Sequence, residues 1–238
     1  MNKPKVAVVT GGARGIGKAI CDAFRERGVA VCTIDVLENP YFVGDIADEQ
    51  TLRAFASKVI SEYGAIDFLI NNACVSKGGL KTCSYDDFNY VLRVGITAPF
   101  MLTKLFMNHF NPGGCIVNIS STRYLMSQPN TESYTAAKGG ITALTHAMAV
   151  TLAGKVRVNC ISPGWIDTTG SQFGSADMLQ HPSGRVGKPS DIVNAVMFLC
   201  DPQNSFINGE NLVVDGGMTK LMIYHNDHGW TYNPSTAQ

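Results

Sequence analysis

The sequence of 238 residues has no excess of charge of either sign, because 19 basic side chains balance 19 acidic ones. A chain without a basic excess offers no electrostatic footprint for nucleic acid or an anionic membrane surface. No apolar run approaches the roughly 18 residues that span a bilayer, and the first residues enter a predicted strand without the apolar segment of a signal peptide. We therefore expect a cytoplasmic protein that binds neither nucleic acid nor membranes.

A disulfide framework is also missing, since the seven cysteines are odd in number and several lie inside apolar segments. Buried thiols in a reducing compartment are the usual explanation of such cysteines. His225, Asp227 and His228 are too loosely spaced for a metal site, so none is predicted.

Short apolar segments alternate with amphipathic ones along the chain, and this alternation predicts the fold. The predicted strands cover residues 5–10, 30–34, 41–44, 67–70, 115–120, 156–161 and 211–214. The predicted helices cover residues 16–28, 48–63, 85–110, 133–153 and 189–199. Apolar strands that alternate with helices are typical of a parallel sheet covered on both faces. We predict one α/β domain with a doubly wound, Rossmann-type, seven-stranded parallel sheet over residues 1–223, followed by a tail over residues 224–238.

Tyr134 and Lys138 form the most informative pair, because residues four apart on a helix share one face. A free tyrosine ionises near pH ~10 and is a poor acid or base at neutrality. A fixed ammonium beside the phenol favours the phenolate and brings the group toward acid/base work. Ser121 follows the fifth predicted strand, at the edge where open α/β sheets bind ligands.

Residues 10–17 read TGGARGIG and connect the first strand to a helix. Glycines at positions 11, 15 and 17 permit a tight turn and close approach to a pyrophosphate, while the helix N-terminus offers free N–H groups. The spacing differs from G-x-G-x-x-G, because three residues separate the first two glycines. The position between strand and helix nevertheless predicts a dinucleotide site that includes Arg14 and Ile16.

Asp35 ends the second predicted strand and bears on the choice of dinucleotide. A carboxylate there accepts hydrogen bonds from ribose hydroxyls and repels a 2′-phosphate, which favours NAD. Arg14 favours NADP, because a cation in the glycine turn is able to meet the extra phosphate. We give Asp35 the greater weight and predict NAD, with NADP as the alternative.

An ordered set of motifs resembles the short-chain dehydrogenase/reductase family of the small single-domain type, from about Lys5 to Met218. The set comprises TGGARGIG, Asp45-Ile46, NNAC at 71–74, NISS at 118–121, Tyr134-x-x-x-Lys138, RVNCISPGWIDT at 157–168, GRVGKPSDI at 184–192 and GENLVVDGGM at 209–218.

The resemblance implies a role for each matching residue. Tyr134 is the expected general acid or base, Lys138 the ligand of the nicotinamide ribose, and Ser121 a hydrogen-bond donor to the substrate oxygen. Asp45 and Ile46 match the family's adenine pocket. The residues expected to flank adenosine and nicotinamide are Asn71, Ala73, Pro163, Gly164, Ile166 and Thr168.

Two residues depart from the family pattern. Cys74 replaces the glycine of NNAG and places a small side chain near the expected nicotinamide channel; a packed thiol is the favoured interpretation and a redox role the alternative. Gly95 replaces a helix asparagine that anchors a water leading to the lysine. We expect an altered proton relay at this position, with activity retained.

The segment between Trp165 and Arg185 is expected to cover the substrate. Arg123, Met126, Trp165 and Phe173 are the predicted pocket residues, and Arg123 either meets an acidic substrate or braces a loop. Small residues on the Tyr134 helix allow another helix to pack closely against it. Members of the family that the chain resembles commonly form dimers and tetramers, so the resemblance implies a homotetramer or homodimer. The aromatic tail, with Met222, Tyr224, Trp230 and Tyr232, is expected to dock on a neighbouring subunit.

Three functions fit the sequence. The leading prediction is an NAD(H)-dependent oxidoreductase that interconverts a small secondary alcohol and a ketone. An NADPH-dependent 3-oxoacyl thioester reductase suits Arg14 and is opposed by Asp35. A dinucleotide sensor without turnover is opposed by the presence of Ser121, Tyr134 and Lys138 together.

Overall fold

The computed structural model describes residues 4–231, apart from the His228 side chain. Seven strands form the sheet: β1 (Val6–Thr10), β2 (Ala30–Asp35), β3 (Phe42–Val43), β4 (Ile66–Asn71), β5 (Phe110–Ile119), β6 (Val156–Pro163) and β7 (Asn211–Val214). The α-helices are α1 (Gly15–Glu26), α2 (Glu49–Tyr63), α3 (Tyr85–Leu92), α4 (Ala98–Phe106), α5 (Glu132–Thr151), α6 (Ser175–Leu179) and α7 (Pro189–Cys200). Single 3-10 turns lie at Thr122–Tyr124, Pro202–Asn204, Met218–Lys220 and Asp227–Gly229.

All neighbouring strands are parallel, in the order β3-β2-β1-β4-β5-β6-β7. The order reverses between β1 and β4, which is the point where ligands bind in open α/β sheets, beyond the carboxyl ends of the strands. The predicted single-domain, doubly wound fold is confirmed.

Successive side chains of each strand enter opposite layers of the core, as the pleat requires. Val6 and Val8 of β1 pack with residues of α2, α4 and α5 on one face. Ala7 and Val9 pack with residues of α1 and α7 on the other. This double burial explains why the strands are continuously apolar.

The helices agree with prediction at one cap and differ from it in two places. Asp48 caps α2 as expected, because its Oδ2 accepts a hydrogen bond from Thr51 N at 2.9 Å. The helix predicted over residues 85–110 is instead α3, a π-helical turn at Arg93–Thr97 and α4, and Phe110 belongs to β5. Helix α6 was missed, since five residues are too few to show helical periodicity.

The predicted tail over residues 224–238 is described as far as residue 231. That part holds the turn at Asp227–Gly229, where Tyr224 N donates to Asp227 Oδ2 at 2.9 Å. Tyr232 and the rest of the tail lie outside the described residues. No group of acidic, histidine or cysteine side chains within residues 4–231 could hold a metal ion.

Candidate active site

The glycine turn opens at the N-terminus of α1. Gly11 and Gly15 have φ angles of +66° and +57°, in the left-handed region that favours glycine. Arg14 occupies the N-cap without a side-chain hydrogen bond, and the first turn of α1 contains no acidic residue. The N–H groups of that turn therefore remain available to an anion.

A cleft of about 650 Å³ lies at this turn, and we call it the glycine cleft. Its walls include predicted residues from the ends of β1, β2 and β4 and from the segment after β6. Those residues are Gly11, Arg14, Gly15, Ile16, Gly17, Asp35, Asp45, Ile46, Ala73 and Thr168.

Gly17 is required by close packing rather than by backbone angle. A Cβ atom at this position would lie 2.1 Å from the carbonyl oxygen of Gly11 and 2.5 Å from Asn72 Nδ2. The start of α1 thus packs directly against the turn that precedes it.

Asn72 fastens the glycine turn to the end of β4. Its Nδ2 donates to the carbonyl oxygens of Thr10 and Gly11, each at 3.0 Å. In return, Thr10 Oγ1 accepts from the backbone N–H groups of Asn72 and Ala73, also at 3.0 Å. The sequence analysis missed Asn72, although the repeated asparagine of NNAC was a signal for it.

Asn71 lines neither the glycine cleft nor the cavity around Tyr134 described below, and its predicted place beside the cofactor stays a prediction. Adjacent residues of an extended chain face opposite sides, so Asn71 and Asn72 point in different directions. The Asn71 side chain is buried and donates to Asn118 Oδ1 at 2.8 Å, and Asn118 donates to Thr145 Oγ1 at 2.9 Å. Pro163 is likewise buried at the end of β6 and lines neither cavity.

The Asp35 carboxylate is fixed where β2 ends. Its Oδ2 accepts from Ala13 N and its Oδ1 from Leu37 N, both at 3.0 Å. Arg14 also lines the glycine cleft, but it is exposed and forms no ion pair within the described chain. The carboxylate is therefore held in place, whereas the cation is not.

Asp45 is held by a tyrosine that the sequence analysis did not identify. Tyr90 on α3 donates its hydroxyl to Asp45 Oδ2 at 2.9 Å, while Asp45 Oδ1 accepts from Ala47 N at 2.9 Å. Burial and the hydrogen bond to this carboxylate raise the pKa of Tyr90. Tyr90 therefore stays a donor and orients Asp45 beside the buried Ile46.

Ser121, Tyr134 and Lys138 come together at the carboxyl end of β5. Lys138 Nζ lies 5.4 Å from the centre of the Tyr134 ring and donates to the carbonyl oxygen of Ile119 at 2.8 Å. Its side chain is only 3% exposed, so the ammonium acts in a dry environment where its charge is weakly screened. Ser121 is also buried, and its Oγ accepts from Arg123 N at 3.2 Å.

Ser120, just after β5, ties α5 to the sheet beside this lysine. Its Oγ donates to the carbonyl oxygen of Lys138 at 2.9 Å and lies 2.8 Å from Thr142 Oγ1. Within α5, Thr142 Oγ1 donates to the same carbonyl oxygen at 2.8 Å. The helix that carries Tyr134 is thus fastened to the segment that carries Ser121.

Gly95 lies in the π-helical turn, directly against α5. A Cβ atom at Gly95 would lie 2.8 Å from the Cβ of Ala137, the residue before Lys138. Gly140 faces Ile96 in the same way, with its Cβ position 2.3 Å from Ile96 Cδ1. The two glycines thus allow the π-helical turn and α5 to pack closely behind Lys138.

A second cavity, of about 930 Å³, contains Ser121 and Tyr134 and is called the Tyr134 cavity below. Among the predicted pocket residues, Arg123, Met126 and Trp165 line it. Phe173 does not; it packs edge-to-face on Trp165, with ring centres 5.2 Å apart. Helix α6 adds Asp177, and its C-cap residue Gln180 also lines the wall; neither had been predicted.

The segment after β6 connects the two cavities. Gly164 and Ile166, predicted beside the cofactor, line the Tyr134 cavity, whereas Thr168 lines the glycine cleft. His181 is buried beside this segment, at 2% exposure. Its Nδ1 lies 3.1 Å from the carbonyl oxygen of Asp177, and its ring centre lies 6.2 Å from that of Trp165.

All seven cysteines are free thiols, and five of them are buried. Cys74 is exposed and lines the glycine cleft, so it is not the packed thiol that the sequence favoured. No helix within residues 4–231 has the length and apolar character needed to cross a membrane.

The fold and these two cavities define a dinucleotide-binding oxidoreductase, and comparisons with known proteins agree. A family model described as enoyl-(acyl carrier protein) reductase matches residues 11–219. The chain belongs to the short-chain dehydrogenase/reductase family.

Individual proteins of the family resemble the chain over nearly its whole length. An uncharacterized oxidoreductase of Thermotoga maritima is 39% identical, over 94% of this chain and 99% of the relative. The apo SCOR enzyme from Clostridium thermocellum has a TM-score of 0.89 at 44% identity, covering 98% of this chain and 99% of that one. A 4-hydroxyisoleucine dehydrogenase complexed with NADH has a TM-score of 0.84 at 31% identity, covering 92% of this chain and 100% of that one.

Proposed function

We propose that the protein is an NAD(H)-dependent oxidoreductase that interconverts a secondary alcohol and a ketone. The observation that carries this proposal is the joint placement of Ser121 and Tyr134 in one cavity, with the buried Lys138 ammonium beside the tyrosine ring. A glycine cleft at the same edge of the sheet supplies the cofactor site.

The glycine cleft fits a dinucleotide. The uncapped first turn of α1 offers N–H groups to the pyrophosphate. Asp35 would accept from the adenosine ribose, and Asp45 with Ile46 would contact the adenine. Lys138 would bind the nicotinamide ribose, and Gly164, Ile166 and Thr168 would flank the nicotinamide. When bound, the nicotinamide gives or takes the hydride.

The chain's own residues then handle the substrate oxygen. In carbonyl reduction Tyr134 gives its phenolic proton to the oxygen as negative charge develops, and in alcohol oxidation it takes that proton. Ser121 donates a hydrogen bond to the same oxygen, which stabilises the developing charge. The ammonium of Lys138 stabilises the phenolate between these states.

NAD is favoured over NADP because the carboxylate of Asp35 is fixed by two backbone N–H groups. A 2′-phosphate placed there would meet a negative charge that two hydrogen bonds hold in position. The NADH complex of a 31% identical relative supports the same choice.

An NADPH-dependent 3-oxoacyl thioester reductase is the second candidate. It is favoured by Arg14, whose exposed side chain in the glycine cleft forms no ion pair within the described residues. Fluorescence titrations with NADPH and with NADH distinguish the two candidate functions. Tighter binding of NADPH would support the thioester reductase.

The decisive experiment compares wild type with Tyr134→Phe on a panel of ketones and secondary alcohols. We expect kcat to fall by roughly 10²- to 10⁴-fold, the usual contribution of a general acid or base, with the affinity for NADH unchanged. Tyr85→Phe, on an α3 residue that is 84% exposed, is the matched control and should leave kcat unchanged. Equal turnover by Tyr134→Phe and wild type would remove the proposed mechanism.

We also propose a cytoplasmic homotetramer. Large apolar side chains remain exposed on α4, α5 and the tail, including Phe100 at 48%, Val150 at 77% and Tyr224 at 67%. Seven free thiols suit a reducing compartment. Sedimentation equilibrium would test the assembly, and a monomer at micromolar concentration would contradict it.

A further inference from the structure

We propose that the substrate carries a carboxylate, and that Arg123 binds it; the protein would thus act on hydroxy acids and their keto acids. The inference rests on the proposed function, since it concerns the same cavity. It starts from the place of Arg123, two residues after Ser121 in the 3-10 turn Thr122–Tyr124. That turn places Arg123 in the same cavity as Ser121 and Tyr134, the residues proposed to act on the substrate oxygen.

Arg123 is a half-buried cation without a carboxylate partner. Its guanidinium donates to Gln128 Oε1, another residue of the Tyr134 cavity, and forms no ion pair with any described residue. A guanidinium has five N–H donors, so this single bond leaves most of them open to the cavity. Their planar arrangement matches the two oxygens of a carboxylate.

A purely structural role would give Arg123 a different set of contacts. Arg185 provides the comparison, because it makes two hydrogen bonds to Asp191, at 2.7 and 2.8 Å, and so fastens the end of the segment after β6 to α7. Among the described residues, the Arg123 guanidinium instead hydrogen-bonds a neutral amide, which orients the guanidinium without neutralising it.

Asp177 is the acidic side chain that faces the same cavity. Its Oδ2 accepts from Gly174 N at 3.2 Å and so caps the start of α6. Because Asp177 and Arg123 are not paired, the cation is available to the substrate. The apolar wall between polar groups, formed by Met126, Trp165 and Met218, suits the carbon chain between the alcohol and the acid.

The test uses secondary alcohols in matched pairs, each a hydroxy acid and its methyl ester, with NAD in excess. For wild type we expect kcat/KM to be about 10- to 100-fold higher for at least one acid than for its ester, the range of a charge-assisted hydrogen bond. Arg123→Gln should lower kcat/KM for the acid toward that for the ester, so that the preference is lost. Arg123→Lys should keep part of it.

Arg53→Gln, an equal change on an exposed residue of α2, is the control and should change neither rate. Equal melting temperatures of Arg123→Gln and Arg53→Gln would show that the fold is retained. If Arg123→Gln melts at a lower temperature, a second measurement on wild type tests whether the cavity prefers a carboxylate. A keto acid should compete with the alcohol substrate at low concentration, whereas its ester should not.

The inference is overturned if wild type oxidises ester and acid equally, or if Arg123→Gln slows both alike. In either case turnover of the ester by wild type and its loss in Tyr134→Phe would leave the proposed function standing. If neither member of any pair is oxidised or reduced, the proposed function fails, and the inference fails with it.

Discussion

The glycine cleft and the Tyr134 cavity lie at the same edge of the sheet, but they are built from different material. The cleft is formed by strand ends, backbone N–H groups, the glycine turn and two carboxylates, Asp35 and Asp45, that are held by hydrogen bonds. The cavity is formed by side chains on a 3-10 turn, on α6 and on the segment after β6. We therefore expect the cleft to set which cofactor binds, and the cavity to set which substrate fits.

The largest effect is expected at Gly17. Gly17→Ala places a Cβ atom 2.1 Å from the Gly11 carbonyl oxygen, so the glycine turn must move. We expect NADH affinity to fall by more than about tenfold and stability by about 1–3 kcal/mol, the usual cost of overpacking. Gly139→Ala, on α5 with no atom within 4 Å of its Cβ position, is the control. Normal NADH binding by Gly17→Ala, measured by calorimetry, would contradict this account of the cleft.

The next effect concerns the choice of cofactor. Asp35→Asn removes the charge and keeps an acceptor for one of the two backbone N–H groups, so we expect the ratio of kcat/KM for NADPH over NADH to rise by about 10-fold or more. Glu38→Gln, on an exposed residue three positions on, should not change it. For each variant, the change in this ratio should be the same whichever alcohol is used as substrate. An effect that differed between substrates would break the distinction between cleft and cavity.

Much of the cleft could be predicted from sequence, because its motif has fixed spacing. The glycines of the turn and Asp35 lie where strand and helix periodicity placed them. Asn71 was predicted beside the cofactor, whereas the residue that lines the cleft is its neighbour Asn72, because side chains of an extended chain alternate between faces. Tyr90 could not be predicted, since its bond to Asp45 joins residues 45 positions apart.

Less of the cavity could be predicted, because its walls depend on how short segments pack. Arg123, Met126 and Trp165 line the cavity, as expected from their nearness to catalytic residues in the chain. Asp177 and Gln180 were missed because α6 has no periodic signal. The fold itself was predicted almost completely, since apolar strands and amphipathic helices alternate along the whole domain.

A smaller effect is expected at the boundary between the two regions. Gly95→Asn must displace α5, because even a Cβ atom there would lie 2.8 Å from that of Ala137. We expect stability to fall by about 1–3 kcal/mol, and kcat and its pH profile to change as Lys138 moves. Ala137→Gly combined with it should show a coupling energy above about 0.5 kcal/mol. An unchanged pH–rate profile would show that position 95 has no influence on proton transfer.

The smallest effect is expected at Asp191, which belongs to the cavity side. The Arg185 guanidinium holds the pKa of Asp191 below its usual range, and Asp191 Oδ2 also accepts from Lys188 N at the start of α7. Asp191→Asn should cost about 1 kcal/mol, as loss of a helix cap does. Since the folded pKa is lowered, wild type holds this advantage above the ordinary carboxyl pKa of about 4 and loses it as pH falls through the lowered one.

Melting temperatures of wild type and Asp191→Asn, measured from pH 7 to pH 2, should approach each other as the pH falls. The KM for the substrate should rise in Asp191→Asn, while the affinity for NADH stays the same. A change in NADH affinity larger than the change in KM would place Asp191 with the glycine cleft instead.

Cys74 places an exposed thiol, which chemical reagents can modify, in the wall of the glycine cleft. Five cysteines are buried and Cys83 is half-buried, so Cys74 is the exposed thiol of the described chain. A small maleimide or disulfide reagent should react there first, and at a rate that depends on what fills the cleft. The reaction rate of Cys74 would thus report the fraction of protein molecules whose glycine cleft holds a ligand. The measurement needs neither a spectroscopic signal from the cofactor nor an engineered cysteine.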